Sequence, residues 1–257
     1  MADDFPTGFG VLITRPREQA QALADAVEAR GGTAVVFPVL DIRPRPPAEV
    51  AADAEQLPDP DFTVFISRNA VAHGAAYAGG RIAAIGPTTA EALRDAGRRV
   101  DIVPDNGFDS EALLARPEFA DLRGRNVRIV RGDPGRELLA GEFERRGARV
   151  DYLQAYTRAL PDVTPGDLDA LATRWQAGGI GAVVVMSVQS LSNLRELVPA
   201  GCLARLAVTP LVTPAARVLK ELERLSPGAP AALAPGTGTA DIVETLIALA
   251  GTPTPTD

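Results

Sequence analysis

The strongest constraint on this chain is that it contains one of its own segments twice. VLITRPREQAQALADAVEARGGTAVVF from Val11 lies over VRIVRGDPGRELLAGEFERRGARVDYL from Val127 without a gap. Arg15 falls on Arg131 and Gly31 on Gly147, at one offset of 127 − 11 = 116 residues. Looser echoes complete the pattern. FISRNAV from Phe65 matches VMSVQSL from Val185, IGPTTAEALRDAG from Ile85 matches LVTPAARVLKEL from Leu211, and VPDNGFDSEALL from Val103 matches APGTGTADIVETL from Ala234. The chain therefore reads a, b, a′, b′, two copies of one structural unit.

Within each copy, short β-branched runs alternate with amphipathic stretches, the rhythm of a parallel sheet covered by helices on both faces. Strands are expected at Val11–Thr14, Ala34–Phe37, Thr63–Ile66, Ile82–Ile85, Val100–Val103, Val127–Val130, Arg149–Leu153, Ala182–Met186, Leu206–Thr209 and Ala231–Ala234. The stretch from Glu18 to Arg30 is a typical helix: Ala22, Leu23, Ala26 and Val27 form one stripe, and Gly31-Gly32 ends it. The fold class is α/β, with two similar parallel-sheet domains.

A length of 257 residues also favours two cores over one. The repeat by itself puts the cut near Gly124, while Pro-rich RPRPPAEV from Arg43 and PDPD from Pro58 bracket a surface connection, and the final TPTPTD reads as a disordered tail. Cys202 is the one cysteine and His73 the one histidine, so neither an internal disulfide nor a zinc cluster is expected. A net charge of −7 argues against nucleic acid, which needs a basic face. MADDFPTG at the start has no apolar export core, and the longest apolar run, Ile180 to Met186, is too short for a bilayer, so a cytoplasmic location without membrane contact is expected.

Ligands of open α/β sheets gather at the carboxyl ends of the strands, where helix N-termini offer unpaired N–H groups and partial positive charge. Here those turns carry Thr14-Arg15, Ser67-Arg68, Gly86-Pro87-Thr88-Thr89, Arg131-Gly132-Asp133, Ser187 and Thr213. Hydroxyls, glycines and arginines suit capture of carboxylates or phosphates. Any single Ser or Thr there is equally explained as a helix cap. No G-x-G-x-x-G follows a strand, and the Gly132…Gly135 loop lacks a P-loop lysine, so no nucleotide is implied. His73 is expected on an exposed helix face and Cys202 as a structural residue. Tyr152 and Tyr156 lie in VDYLQAYTRAL, which runs past a normal strand end, as VVFPVLDIRP does in the first copy. Tyr152 reads as a plug between domains; Tyr156 reads equally as a plug or as a side chain facing a cleft.

TRP at Thr14–Pro16, FPVL at Phe37–Leu40, FISRNAV at Phe65–Val71, IGPTTAEAL at Ile85–Leu93, and IVRGDPGRELL followed by GARVDYLQAYTR together resemble the uroporphyrinogen-III synthases, from about Gly10 to Leu249. The resemblance implies two α/β domains joined by a two-stranded antiparallel ladder, with the active site in the cleft between them. Residues 1–38 with 161–257 would make one domain, 45–153 the other, and 39–44 with 154–160 the ladder. That arrangement replaces the cut at Gly124, because each domain takes a piece from both copies.

The implied reaction closes the linear tetrapyrrole hydroxymethylbilane into uroporphyrinogen III, inverting the last pyrrole ring and losing water, with no cofactor and by a monomer. Departure of the hydroxyl leaves an azafulvene cation. The last ring attacks at its own substituted carbon to give a spiro intermediate, which fragments and recloses. The unassisted reaction closes without inversion, so the enzyme's task is orientation.

On the family's pattern, Tyr156 donates a hydrogen bond to the departing hydroxyl, because a phenol is protonated at neutral pH. Ser67, Thr88, Thr89, Gly132, Ser187 and Thr213 would grip the substrate's carboxylates, with Arg15 and Arg131 near the rim. Backbone N–H capture would let an acidic protein hold a polyanion. Two departures weaken the second half of this set: VTPLVTPAA has no glycine where the first copy has IGPTTA, and Ser187 is followed by Val188-Gln189. Two lobes are also the plan of a small-anion binding or sensor module. A nucleotide-sugar transferase is disfavoured by the missing nucleotide loop.

Overall fold

The computed structural model describes residues 4–105, 107, 109–132 and 137–251, and among these are eleven strands and eleven α-helices. The strands are β1 (Gly10–Ile13), β2 (Thr33–Val36), β3 (Asp41–Pro44), β4 (Phe62–Phe65), β5 (Arg81–Ala84), β6 (Asn126–Arg131), β7 (Arg149–Gln154), β8 (Tyr156–Ala159), β9 (Ala182–Val184), β10 (Leu211–Thr213) and β11 (Ala231–Leu233). The helices are α1 (Arg17–Ala29), α2 (Pro47–Gln56), α3 (Arg68–Gly74), α4 (Pro87–Asp95), α5 (Ser110–Leu114), α6 (Leu138–Arg145), α7 (Pro165–Gln176), α8 (Val188–Leu197), α9 (Leu203–Val208), α10 (Ala216–Leu225) and α11 (Thr239–Ala250). The TPTPTD tail and residues 133–136 of the GDPGR motif lie outside the described residues.

The chain divides into two compact units, Met1–Asp41 with Ala159–Asp257, and Ile42–Arg158. The first holds the sheet β11-β10-β9-β1-β2 and the second β5-β4-β6-β7. Every pairing in both sheets is parallel. In each, the first strand of an a-type segment pairs with the first strand of a b-type segment, β1 with β9 and β6 with β4. The repeat holds down to register. Gly10 pairs with Thr33 and Ile13 with Val36; adding 116 to each number gives Asn126 with Arg149 and Ile129 with Tyr152, which are also pairs. Gly124 falls inside the second unit. A cut there would part β4 from the β6 it is hydrogen-bonded to.

Because parallel strands are covered on both faces, their side chains feed two cores in alternation. In the first unit Leu12 and Val183 face a core with Phe37, Leu171 and Trp175, whereas Val11, Ile13, Ala182 and Val184 face Leu23, Val27, Ile242 and Leu246. In the second, Phe65 and Val130 pack with Ala70, Leu93 and Tyr156, while Val64 and Ile129 pack with Leu113, Phe119 and Phe143. Each fully buried Val, Leu, Ile or Phe side chain contributes roughly 1.5–3 kcal/mol. Strands β3 and β8 form a separate two-stranded sheet. Arg45 N–H donates to the Ala155 carbonyl at 3.1 Å and the Thr157 hydroxyl to the Arg43 carbonyl at 3.4 Å. Numbers fall on one side as they rise on the other, so this ladder is antiparallel.

Two expected strands are not strands. Leu206–Thr209 falls in α9 and its cap, and β10 begins only after Pro210. The Thr209 hydroxyl donates back to the Arg205 carbonyl one turn earlier (2.7 Å) and accepts from the Trp175 indole (3.0 Å), so it closes a helix. Val100–Val103 provides a single parallel bridge, Ile102 to Ala83. There the Asp101 carboxylate accepts the Ile82 N–H at 2.9 Å in place of a backbone carbonyl, and Pro104 removes the next donor. Among the described residues no helix is long and apolar enough to cross a membrane.

Candidate functional site

In the second unit, the candidate residues sit at the carboxyl ends of β4, β5 and β6. Ser67 follows β4 and caps α3, its Oγ accepting the Ala70 N–H at 3.0 Å. Tyr156 begins β8 and is completely buried. Its hydroxyl lies 3.2 Å from Ser67 Oγ and 3.4 Å from Arg158 Nη2.

The phenol ring of Tyr156 is fixed from several sides. The His73 ring lies 5.9 Å away at 52°, and the Arg158 guanidinium stands 5.9 Å from the ring centre. Gly132, directly after β6, closes another side. A Cβ added there would come within 2.5 to 2.9 Å of three ring carbons, so only glycine admits the ring at this distance. His73 is therefore half-buried beside Tyr156 and not, as the sequence suggested, on an exposed face. The reason is local: α3 is capped by Ser67, whose hydroxyl touches the phenol, and one further turn and a half carries His73 along the ring.

Arg131, the last residue of β6, is 6% exposed and lays its guanidinium 4.5 Å above the Tyr152 ring. Tyr152 is 37% exposed; burial pushes its hydroxyl above the usual tyrosine range, against the opposing pull of Arg131. The two line a small cavity of about 110 Å³ with Gly132, Glu137 and Gln154. Asp133 lies outside the described residues. After β5, Gly86 and Pro87 open α4 without a side-chain cap; Thr88 is exposed and Thr89 is buried. The first N–H groups of α4 thus have no side-chain acceptor at the cap.

In the first unit, Arg15, Ser187 and Thr213 share the carboxyl edge of the sheet, after or at the ends of β1, β9 and β10. Arg15 donates to the Thr237 carbonyl at 3.2 Å, just before α11. Ser187 caps α8, accepting the Ser190 N–H at 3.1 Å and sharing a hydrogen bond with the Ser190 hydroxyl at 2.9 Å. Thr213 is fully buried and accepts the Ala215 N–H at 3.1 Å. Thr14, buried between them, ties β1 to β9 through the Val184 carbonyl at 2.7 Å. Cys202 is buried in the core with Leu206 and Trp175.

The structure thus brings Ser67, Gly132 and Tyr156 into direct contact and adds Arg158 and His73, which sequence reasoning did not select. Arg158 had a signal: side chains two apart on a strand share a face, and Tyr156 and Arg158 are both in β8. Among the described residues no three His, Cys, Asp or Glu side chains are grouped so as to hold a metal ion.

Comparison with known proteins points in one direction. Residues 21–242 match the family model described as uroporphyrinogen-III synthase HemD. The chain is 33% identical to the uroporphyrinogen-III synthase of Salmonella typhimurium over 201 residues, covering 74% of this chain and 80% of that protein. It is 31% identical to that of Escherichia coli over the same length and shares. Among solved structures it matches a mutant uroporphyrinogen III synthase from Thermus thermophilus with a TM-score of 0.61 at 21% identity, covering 94% of this chain and 98% of that one. It matches the uroporphyrinogen-III synthetase of Helicobacter pylori with a TM-score of 0.64 at 12% identity, covering 94% and 99%. The two solved structures share the fold, and the family model together with the enteric relatives shows that this chain belongs to the uroporphyrinogen-III synthase family.

Proposed function

We propose that the chain cyclises hydroxymethylbilane to uroporphyrinogen III, inverting the last pyrrole ring and releasing water, as a cofactor-free lyase of tetrapyrrole biosynthesis. The observation that carries the assignment of residues is the Tyr156 hydroxyl, fixed beside Ser67 at the carboxyl edge of a parallel sheet in a chain of this family. The phenol proton goes to the departing hydroxyl, the C–O bond breaks and water leaves. The last ring attacks the resulting azafulvene cation at its substituted carbon. Fragmentation and reclosure follow, and the proton lost when the ring regains aromaticity returns to the phenolate. Electrons balance without any redox partner.

The substrate's acetates and propionates are taken by the N–H groups at the start of α4 with Thr88 and Thr89, by Arg131 and Gly132, and in the first unit by Arg15, Ser187 and Thr213. Dipoles and N–H groups hold these anions although the chain's net charge is −7. The same reading has a monomer acting in the cytoplasm on a small molecule, without nucleic-acid or membrane partners.

Freshly prepared hydroxymethylbilane should yield type III isomer when the protein is present, resolved after oxidation of the products. Type I alone, at the rate seen without protein, would refute the reading. A pure binding module would bind the bilane and leave that isomer ratio unchanged. The relatives give that alternative no support, being synthases by name.

A further inference from the structure

We infer that Arg158 is the positioning residue that sets which way the Tyr156 proton points and holds the phenolate that its departure leaves. The inference rests on the proposed role of Tyr156 and adds a residue that this role does not name.

A guanidinium has donors and no acceptor, so in the 3.4 Å contact with Tyr156 it is Arg158 that donates and the phenol oxygen that accepts. Ser67 Oγ already accepts the Ala70 N–H at 3.0 Å, and either oxygen of the 3.2 Å Ser67–Tyr156 contact can be the donor. Two arrangements therefore exist. In one, the phenol gives its proton to Ser67. In the other, Ser67 donates to the phenol, and the phenol proton is free for an outside acceptor. The second fills both acceptor positions of the phenol oxygen with donors, one of them cationic. A proton leaving that oxygen finds two hydrogen bonds already aimed at the charge it leaves behind.

The surroundings give Tyr156 little else to do. Its ring is completely buried, and Gly132 and His73 fix its plane, so the hydroxyl cannot swing away to find other partners. Arg158 itself is exposed, with its guanidinium over the buried Tyr156 ring. The chemistry balances as before: the phenol proton goes to the leaving hydroxyl, and the proton released on rearomatisation returns to the phenolate while Arg158 stays protonated.

The test is a double-mutant cycle in the full-length protein. Arg158→Gln and Arg158→Lys are each made in the native chain and in the Tyr156→Phe chain, with kcat, KM, isomer ratio and melting temperature measured. Arg158→Gln should lower kcat about tenfold with KM within about twofold, a loss of transition-state stabilisation alone. Arg158→Lys should recover part of it, and neither change should matter once Tyr156 is Phe. Equal losses in both backgrounds, or a raised KM with unchanged kcat, would overturn the inference and make Arg158 an ordinary carboxylate contact. An unchanged kcat for Arg158→Gln in the native background would overturn it too. Failure of the underlying reading looks different: Tyr156→Phe would then turn over like the native chain, or no type III isomer would form at all.

Discussion

At Gly132 a single missing atom decides whether the site can exist. The Tyr156 ring occupies the place where a Cβ would stand, so Gly132→Ala must displace either the ring or the end of β6. Overpacking of this kind costs about 1–3 kcal/mol. The expected outcome is a lower melting temperature together with a kcat that falls to that of Tyr156→Phe. Tyr156→Phe itself should reduce kcat about tenfold to a hundredfold, the lower part of the range for an acid–base group, with an unchanged melting temperature. Near-native turnover in Gly132→Ala would show that the ring position is irrelevant to the chemistry. Of this constellation, Tyr156 stood out in the sequence as an aromatic residue in an extended run past a strand end, where it read equally as a plug or as a cleft-facing side chain, and only the family resemblance implied its role. Gly132 was legible as a loop glycine, but its neighbour was not, since contact between residues 132 and 156 follows only from the β6–β7–β8 geometry. His73 was misread because a lone histidine on a short helix gives no sequence signal of what its face meets.

Among the elements, β4 and β6 are locked at their starts by one carboxylate. The Asp61 backbone donates to the Asn126 carbonyl, its side chain accepts the Asn126 N–H at 2.9 Å, and the Arg125 guanidinium donates to it at 2.8 Å. The Asn126 N–H first, then Arg125, hold the Asp61 carboxyl below its ordinary value. A carboxylate whose folded-state value is depressed contributes stability above its unfolded value, near 4, and loses it as pH falls toward the folded value. The acid limb of the native chain's melting temperature should therefore flatten in Asp61→Asn, with the difference between the two largest above about pH 4. Equal slopes would mean the pair is fully screened by solvent. On the same strand β6, Arg128 is 6% exposed and donates to the carbonyls of Ala54, Pro58 and Tyr77 at 3.1 to 3.3 Å. Arg128→Ala would strand these carbonyls and should lower stability by about 2–4 kcal/mol, read from the urea midpoint. The strands themselves were legible where β-branched runs are long. The sequence misled where a run of the same composition met Pro210, which makes LAVT the end of a helix and LVT the strand.

For the whole molecule, the repeat was legible from the residues but which copies pair was implied only by the family resemblance, because a repeat says which segments are alike and not which ones pair. The pairings β1–β9 and β4–β6 join segments from different copies. Fragments should therefore behave in a way opposite to the apparent duplication. A fragment of residues 42–158 keeps the whole sheet β5-β4-β6-β7, both of its cores and Tyr156. It should unfold cooperatively in urea, with circular dichroism and tryptophan-independent probes such as near-ultraviolet tyrosine signals coinciding. A fragment of residues 1–124 contains one intact copy in sequence, but β1 lacks β9 and β4 lacks β6, so the central strand pair of each sheet is broken. It should show no cooperative transition and should bind hydrophobic dyes. If residues 1–124 folded cooperatively and 42–158 did not, the pairing of copies described above would be wrong. If both fold, the sheets tolerate loss of their central pairs, and the order of strands in the intact chain is set by something other than the β1–β9 and β4–β6 contacts.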